Sequence, residues 1–154
     1  MKAASIAELK KALIKLEHGD LLESCLRLAR FKKDNKELLT YVLFLSHDEQ
    51  GFADYLCSEI DDQFRLTPNA HKKTLRKLIR WMNKVLRFTK VKDTEVQVRL
   101  HFVRALRDSQ TPFRRSRVMT NMYNGQLKKV TTVTQKLHED IRNEIALEVE
   151  KLQL

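Results

Sequence analysis

Histidine and carboxylate side chains supply most protein metal sites, but in this sequence they show no metal-binding spacing. No two histidines stand four residues apart, as on a zinc-binding helix, and residues 138–140 lack the second histidine of HExxH. The carboxylates of residues 139–148 lack the Glu-x-x-His motif of carboxylate-bridged metal bundles. The sequence therefore predicts no metal site. The histidines are His18, His47, His71, His101 and His138.

The two cysteines, Cys25 and Cys57, lie far apart among apolar residues. A catalytic thiol needs a lowered pKa and a neighbouring base, so we predict that both are reduced core residues rather than nucleophiles. The chain also lacks G-x-S-x-G, S-x-x-K and any glycine-rich loop that could cradle a nucleotide. We predict no catalytic residue, no cofactor and no small-molecule substrate, so the protein is expected not to be an enzyme.

Basic residues form the strongest pattern in the sequence. Between Pro68 and Lys92 there are nine Lys or Arg and no acid. At about 100° per residue, a helix over Pro68–Thr89 places its apolar side chains on one side. The opposite side carries a basic face, with Trp81 and Phe88 at its border. The basic face consists of Lys73, Arg76, Lys77, Arg80, Lys84 and Arg87.

A second basic cluster, Arg114, Arg115 and Arg117, follows Pro112 at the start of the last helical segment. Cations at a helix start oppose the helix dipole. We therefore expect these arginines to be held by an acid from residues 139–150 or by an external anion. We predict that Arg114 and Arg115 lie with Tyr123 and His138 in a polar cluster, which is a further candidate site.

The basic residues have two interpretations. A row of cations beside aromatic rings is typical of a surface that tracks nucleic-acid phosphates without reading sequence. Most charged helix faces are simply solvated, and here the acidic N-terminal half or the C-terminal end could offset the charge. A membrane-surface helix is disfavoured, because the apolar side of this helix is needed for the core.

Composition predicts the fold class. The 154 residues include only three Gly and two Pro, while 42% are hydrophobic, so the chain can form a core but is poor in turn residues. Leu, Lys, Arg, Glu and Ala favour helices. We predict an all-α fold of six to eight helices in stacked antiparallel pairs, as a bundle or short α-solenoid, with a long C-terminal helix. No secretory signal or membrane span is evident, so we predict a cytoplasmic location.

Helix-start signals divide the chain. The capping-box pattern Ser5-x-x-Glu8 predicts a first helix to about Glu17, and Asp20 and Asp34 predict the next two starts. A fourth helix is expected from near Asp48 to about Phe64. Its predicted inward residues are Phe52, Tyr55, Leu56 and Ile60. Asp93-Thr94-Glu95 predicts the start of the sixth helix.

The last segment carries an apolar stripe at steps of three and four residues from Met119 to Leu152. Such a stripe packs along the other helices or along a partner, so it raises the prospect of a dimer. Asn124-Gly125 interrupts it, and we predict a kink or helix junction there.

Charge also varies along the single predicted domain, residues 1–154. Residues 1–66, two near-neutral helical hairpins, have 10 basic and 12 acidic residues. Residues 67–138 have 18 basic and 3 acidic residues, and the acidic helix end 139–154 has 2 and 5. The net charge of +10 therefore arises in the middle segment.

Several short segments resemble a family of small all-helical bacterial proteins without an assigned activity. The resemblance implies a helical, bacterial, cytoplasmic protein and no mechanism. The segments are Cys25–Lys33, Phe88-Thr89, Thr94–Val96, Pro112–Ser116, Asn121–Tyr123 and Leu137–Asp140.

We therefore expect a non-enzymatic binding or scaffold protein that engages a protein partner or a second copy of itself. The alternative is sequence-independent nucleic-acid binding through the basic face of the helix at residues 68–90.

Overall fold

The computed structural model describes residues 1–154 and is entirely helical, which confirms the predicted fold class. Eight α-helices are joined by short links, and Tyr41–Leu45 and Phe113–Arg115 add a π-helical and a 3-10 turn. The helices are α1 Ile6–Leu13, α2 His18–Phe31, α3 Lys33–Thr40, α4 Glu49–Leu66, α5 Lys72–Val85, α6 Lys92–Asp108, α7 Arg117–Thr134 and α8 Glu139–Leu152.

The chain divides into two compact units, residues 1–43 and 44–154. In the N-terminal unit α2 packs on α3, and α1 begins with the predicted capping box between Ser5 and Glu8. The Glu8 carboxylate accepts from the Ser5 hydroxyl at 2.7 Å and from the Ser5 amide at 2.8 Å, and these bonds lower the pKa of Glu8. Tyr41 is the one buried residue of this unit.

The C-terminal unit is built around α6, which packs against both α4 and α7. Because it has neighbours on two sides, α6 buries eight residues, more than any other helix. α8 folds back along α7, and the Tyr123 hydroxyl donates to the Leu152 carbonyl at 2.7 Å. Arg104 of α6 pairs with Glu148 of α8, which closes the unit.

A buried guanidinium joins three helices of this unit. Arg99, only 5% exposed, donates from Nε and Nη2 to Glu95 Oε1 at 3.0 and 2.9 Å. Its Nη1 donates to Asn83 Oδ1 of α5 at 2.9 Å and to Gln126 Oε1 of α7 at 2.8 Å. Lys129 also donates to Asn83, and its pKa is lowered by burial and by the charge of Arg99. These bonds satisfy the polar groups that the core encloses.

Hydrogen bonds of three threonines hold the links at the two ends of α5. Thr111, buried after α6, accepts from the Ala70 amide at 3.0 Å and donates to the Pro68 carbonyl at 3.1 Å. At the other end, Thr89 and Thr94 each donate to Glu49 Oε2 at 2.8 Å. The link before α5 is therefore tied to the link after α6, and the α5–α6 link is tied to α4.

Several expectations about the helices are wrong. The first helix ends at Leu13 rather than near Glu17, and α2 and α3 begin at His18 and Lys33 without a side-chain cap from Asp20 or Asp34. α7 runs without interruption through Asn124-Gly125. The side chains of Tyr123 and Leu127, on both sides of this pair, are buried in the core and hold the helix there. The last segment instead breaks between α7 and α8. Tyr55 is 54% exposed rather than inward-facing. The fifth helix is shorter than Pro68–Thr89, because Thr111 holds Pro68 and Ala70 in an irregular link.

The apolar stripe of the last segment is used within the chain. Most of its residues are buried in the core formed by α6, α7 and α8, so the stripe cannot form a dimer interface without unfolding the unit. The buried members are Met119, Tyr123, Leu127, Val130, Thr134, Ile145 and Leu152.

We predict that Arg99→Met lowers the free energy of unfolding by about 3 kcal/mol, because it leaves Gln126 and Glu95 without their buried partner. Urea denaturation followed by circular dichroism measures the change. The matched control is Arg65→Met, since Arg65 pairs with Asp62 in solvent and should lose at most about 1 kcal/mol. Equal losses in the two variants would contradict a structural role for the Arg99 network.

Candidate nucleic-acid interface

The orientation of α5 is set by its apolar side. Leu75, Leu78, Met82 and Val85 recur every three or four residues and are all buried. The opposite side of the helix must therefore point to solvent. α5 is held in this rotation at a second point by Asn83, which accepts from Arg99 of α6.

The basic face lies on that exposed side, as the sequence predicts. Lys84 is half-buried and the other five cations are exposed. None of those five forms an ion pair or hydrogen bond with another residue of the chain. The five are Lys73, Arg76, Lys77, Arg80 and Arg87.

The start of α5 adds to the positive charge. Lys72 and Lys73 occupy the first turn, which holds no acidic residue, and His71 at the N-cap makes no side-chain hydrogen bond. Cations at this end of a helix interact unfavourably with its dipole, and each one destabilises the helix by roughly 0.3–1 kcal/mol at an exposed position. Helix stability therefore does not explain why these residues are basic.

Trp81 borders the basic face in a groove between α4 and α5. The groove has a volume of about 460 Å³, and the half-buried indole forms part of its wall. Lys73 and Lys77 lie on the same wall, two turns and one turn before Trp81 respectively, while Glu59 and Gln63 of α4 form the facing wall.

The second basic cluster lies elsewhere on the C-terminal unit. Arg114 and Arg115 line a cleft of about 710 Å³ together with Arg107 and Asn69. Arg114 lies over the ring of Phe113, 5.9 Å from its centroid, and neither Arg114 nor Arg115 pairs with an acid. The expected acidic partner from residues 139–150 is therefore absent. Arg117 is exposed in the first turn of α7 and lines neither the groove nor the cleft.

The polar cluster proposed from the sequence does not form. Tyr123 is fully buried, where its ring stacks on Phe113 at 4.9 Å and its hydroxyl is bonded to Leu152. Burial raises the pKa of that hydroxyl. His138 is exposed before α8, at the opposite end of α7 from Arg117, and lies 3.5 Å from Asp140. Only Arg114 and Arg115 of the cluster share a surface.

His101 and Cys57 belong to neither basic cluster. His101 Nε2 is 2.7 Å from Asp61 Oδ1, and both residues line an open cleft of about 620 Å³. Burial and the nearby carboxylates of Asp61 and Asp54 raise the pKa of the Cys57 thiol to about 11. This thiol is therefore protonated near neutral pH. Cys25 and Cys57 are both half-buried and unpaired.

Sequence reasoning missed three residues that line these surfaces and one residue of the core. Glu59 and Gln63 belong to the acidic half of the chain, and nothing in their spacing places them against α5. Arg107 is one of several arginines on α6. The core residue Arg99 had a usable signal, because α6 carries apolar residues on most of its sides and leaves few positions that face solvent.

We predict that the alkylation rate of Cys57 in the folded protein rises about tenfold per pH unit and levels off near pH 11, since only the thiolate reacts. At pH 8 the rate should be roughly 100-fold below that of the urea-unfolded chain, whose thiol titrates near 8.5. Iodoacetamide labelling of a Cys25→Ser variant measures it. A rate that levels off near pH 8.5 in the folded protein would show that the thiol is not shielded.

No protein-family model, curated protein or solved structure matches this chain. The resemblance to small bacterial helical proteins therefore stays a prediction. None of the helices has the length and apolar character that crossing a membrane requires.

Proposed function

We propose that this protein is a non-enzymatic binding module that holds nucleic acid through phosphate contacts along the basic face of α5, without sequence preference. The observation that carries the proposal is that five exposed cations lie on one side of one helix and have no ion-pair partner in the chain. Such cations release counterions when they meet phosphates, which is the main source of non-specific affinity.

The arrangement suits a polyanion better than a single acidic group. Lys73, Lys77 and Lys84 lie in a row that extends about 16 Å along the helix axis, and arginines flank the row. Arginine binds phosphate oxygens through a planar fork of donors. A merely solvated face would be expected to contain acids among its bases, and residues 68–92 contain none.

A cytoplasmic location is part of this proposal. The two half-buried, unpaired cysteines support it, since disulfides are rare in reducing compartments. The chemistry of the basic face itself does not distinguish DNA from RNA.

If the five exposed cations contact phosphates, the logarithm of the association constant should fall with the logarithm of salt concentration at a slope of about −4.5 for a duplex. Neutralising four of them should reduce the slope to about −1 and weaken binding roughly 100-fold at low salt, for every sequence alike. Fluorescence anisotropy with labelled random-sequence oligonucleotides measures both. The variant is Lys73→Gln, Arg76→Gln, Lys77→Gln and Arg80→Gln.

A control variant with the same loss of net charge shows whether binding depends on the basic face of α5 or only on the net charge of the protein. Its substitutions lie in the N-terminal unit and should leave the slope within about one unit of the wild type. Absence of binding to duplex and single strand at low salt, or an equal loss in the control, would overturn the proposal. The control is Lys2→Gln, Lys10→Gln, Lys11→Gln and Lys15→Gln.

A second candidate function is self-association through the N-terminal unit, and a specific observation favours it. In this unit large apolar side chains remain in solvent, among them Ile6 at 81% and Phe31 at 85% exposure. A unit of 43 residues with one buried side chain is too small to be stable unaided. We propose that the occupant of this surface is the same unit of a second copy.

The unit contains two complementary parts for such an exchange. α1 carries an apolar stripe of Ile6, Leu9 and Leu13, yet it does not pack extensively on another helix. α2 and α3 enclose an apolar groove of about 320 Å³, lined by Leu28 and Leu39 among others. α1 of each copy lying in the α2–α3 groove of the other would form a symmetric pair, because each contact then occurs twice.

Sedimentation equilibrium should show the wild type as a dimer, and Leu9→Glu with Leu13→Glu should give a monomer, because a carboxylate cannot enter an apolar groove without a partner. The paired control on the opposite side of α1, Ala7→Glu with Lys11→Glu, should remain dimeric, since both residues are exposed there. A wild type that is monomeric at every concentration would contradict this candidate.

A further inference from the structure

We infer that the groove between α4 and α5 takes an unpaired base, so that the protein prefers single-stranded to double-stranded nucleic acid. This inference rests on the proposed function, since the phosphates beside the base must be held by the basic face. It goes further in naming the strandedness of the ligand and the residue that selects it, Trp81.

The indole of Trp81 is positioned by α5 and is accessible. Its neighbours Met82 and Leu78 are buried in the core, so the helix that carries the ring cannot rotate. The ring is only half-buried and contributes to the groove wall. An aromatic surface of this kind stacks on any base, because every base has a π-face.

The cations are placed to hold the strand beside that base. Lys77 and Lys73 precede Trp81 by four and eight residues, so they lie about 6 Å and 12 Å along the same side of the helix. Arg80 is next to Trp81 on the exposed side. A base seated on the indole therefore has phosphate-binding groups beside it and along its backbone toward the start of α5.

The facing wall supplies polar groups for a base edge. The side chains of Glu59 and Gln63 make no hydrogen bond or ion pair within the chain, although both line the groove. A carboxylate repels phosphate but accepts hydrogen bonds from exocyclic amino groups such as N4 of cytosine. This wall therefore suits a base edge and does not suit a phosphate.

The groove excludes a duplex. Its volume of about 460 Å³ is in the range of sites for small ligands. A base within a duplex is covered on both faces by its neighbours and cannot stack on Trp81 without being extruded. An unpaired base meets no such cost, so the groove adds affinity for a single strand only.

Trp81 is the one tryptophan of the chain, so its fluorescence reports on the groove without a label. Oligodeoxycytidylate should quench the emission of the wild-type protein, whereas a duplex of the same length should bind with little quenching. The single strand should bind at least about tenfold more tightly than the duplex at equal salt, as one stacked base would give.

Variants assign the effect to the ring. Trp81→Leu should weaken binding of the single strand about tenfold and leave binding of the duplex within twofold, by anisotropy of labelled oligonucleotides. Trp81→Phe keeps a stacking surface and should retain most of the affinity. If Trp81→Leu fails to fold, which circular dichroism would show, the quenching of the wild type still decides the matter.

The outcomes separate this inference from the proposed function. Equal binding of single strand and duplex with no change in Trp81 emission would overturn the inference and leave phosphate binding by the basic face intact. Absence of binding to either nucleic acid would overturn both. Quenching by the single strand that persists in the four-glutamine variant at reduced affinity would support a contribution of the groove apart from the basic face.

Discussion

The C-terminal unit depends on satisfying the guanidinium of Arg99 inside its core. A buried arginine is costly unless its donors are matched, and here the acceptors come from Glu95 on its own helix, Asn83 on α5 and Gln126 on α7. The hydrogen bonds are directional, so the three helices can meet in few arrangements. Apolar packing supplies most of the stability of this unit, but this network restricts how the helices are rotated against one another.

The rotation of α5 follows from that restriction and decides what the protein presents to its surroundings. With Asn83 bonded to Arg99 and the apolar side against the core, Lys73, Arg76 and Arg80 have only solvent to face. The same rotation leaves Trp81 at the edge, half in the core and half in a groove. The proposed binding surface is thus a direct consequence of how the core is built.

The N-terminal unit illustrates a different principle. Its first helix begins with a capping box at Ser5, yet none of its helices α1–α3 contains a buried residue. Local hydrogen bonds define a helix without giving it a place to pack. For this reason an exposed Ile6 or Phe31 argues for a second surface, and the proposed exchange of α1 between copies is one way to cover it.

Composition and periodicity were sufficient for the all-helical class, the capping box of α1, the N-cap at Asp48 and the basic face, because these depend on residues near in sequence. The continuity of α7 through Gly125, the exposure of Tyr55 and the separation of His138 from Arg114 were decided by packing between distant segments. The placement of Glu59 opposite Trp81 and the absence of acidic partners for Arg114 and Arg115 were decided in the same way. Local preference can predict which side of a helix is basic; only the tertiary contacts determine what lies across from it.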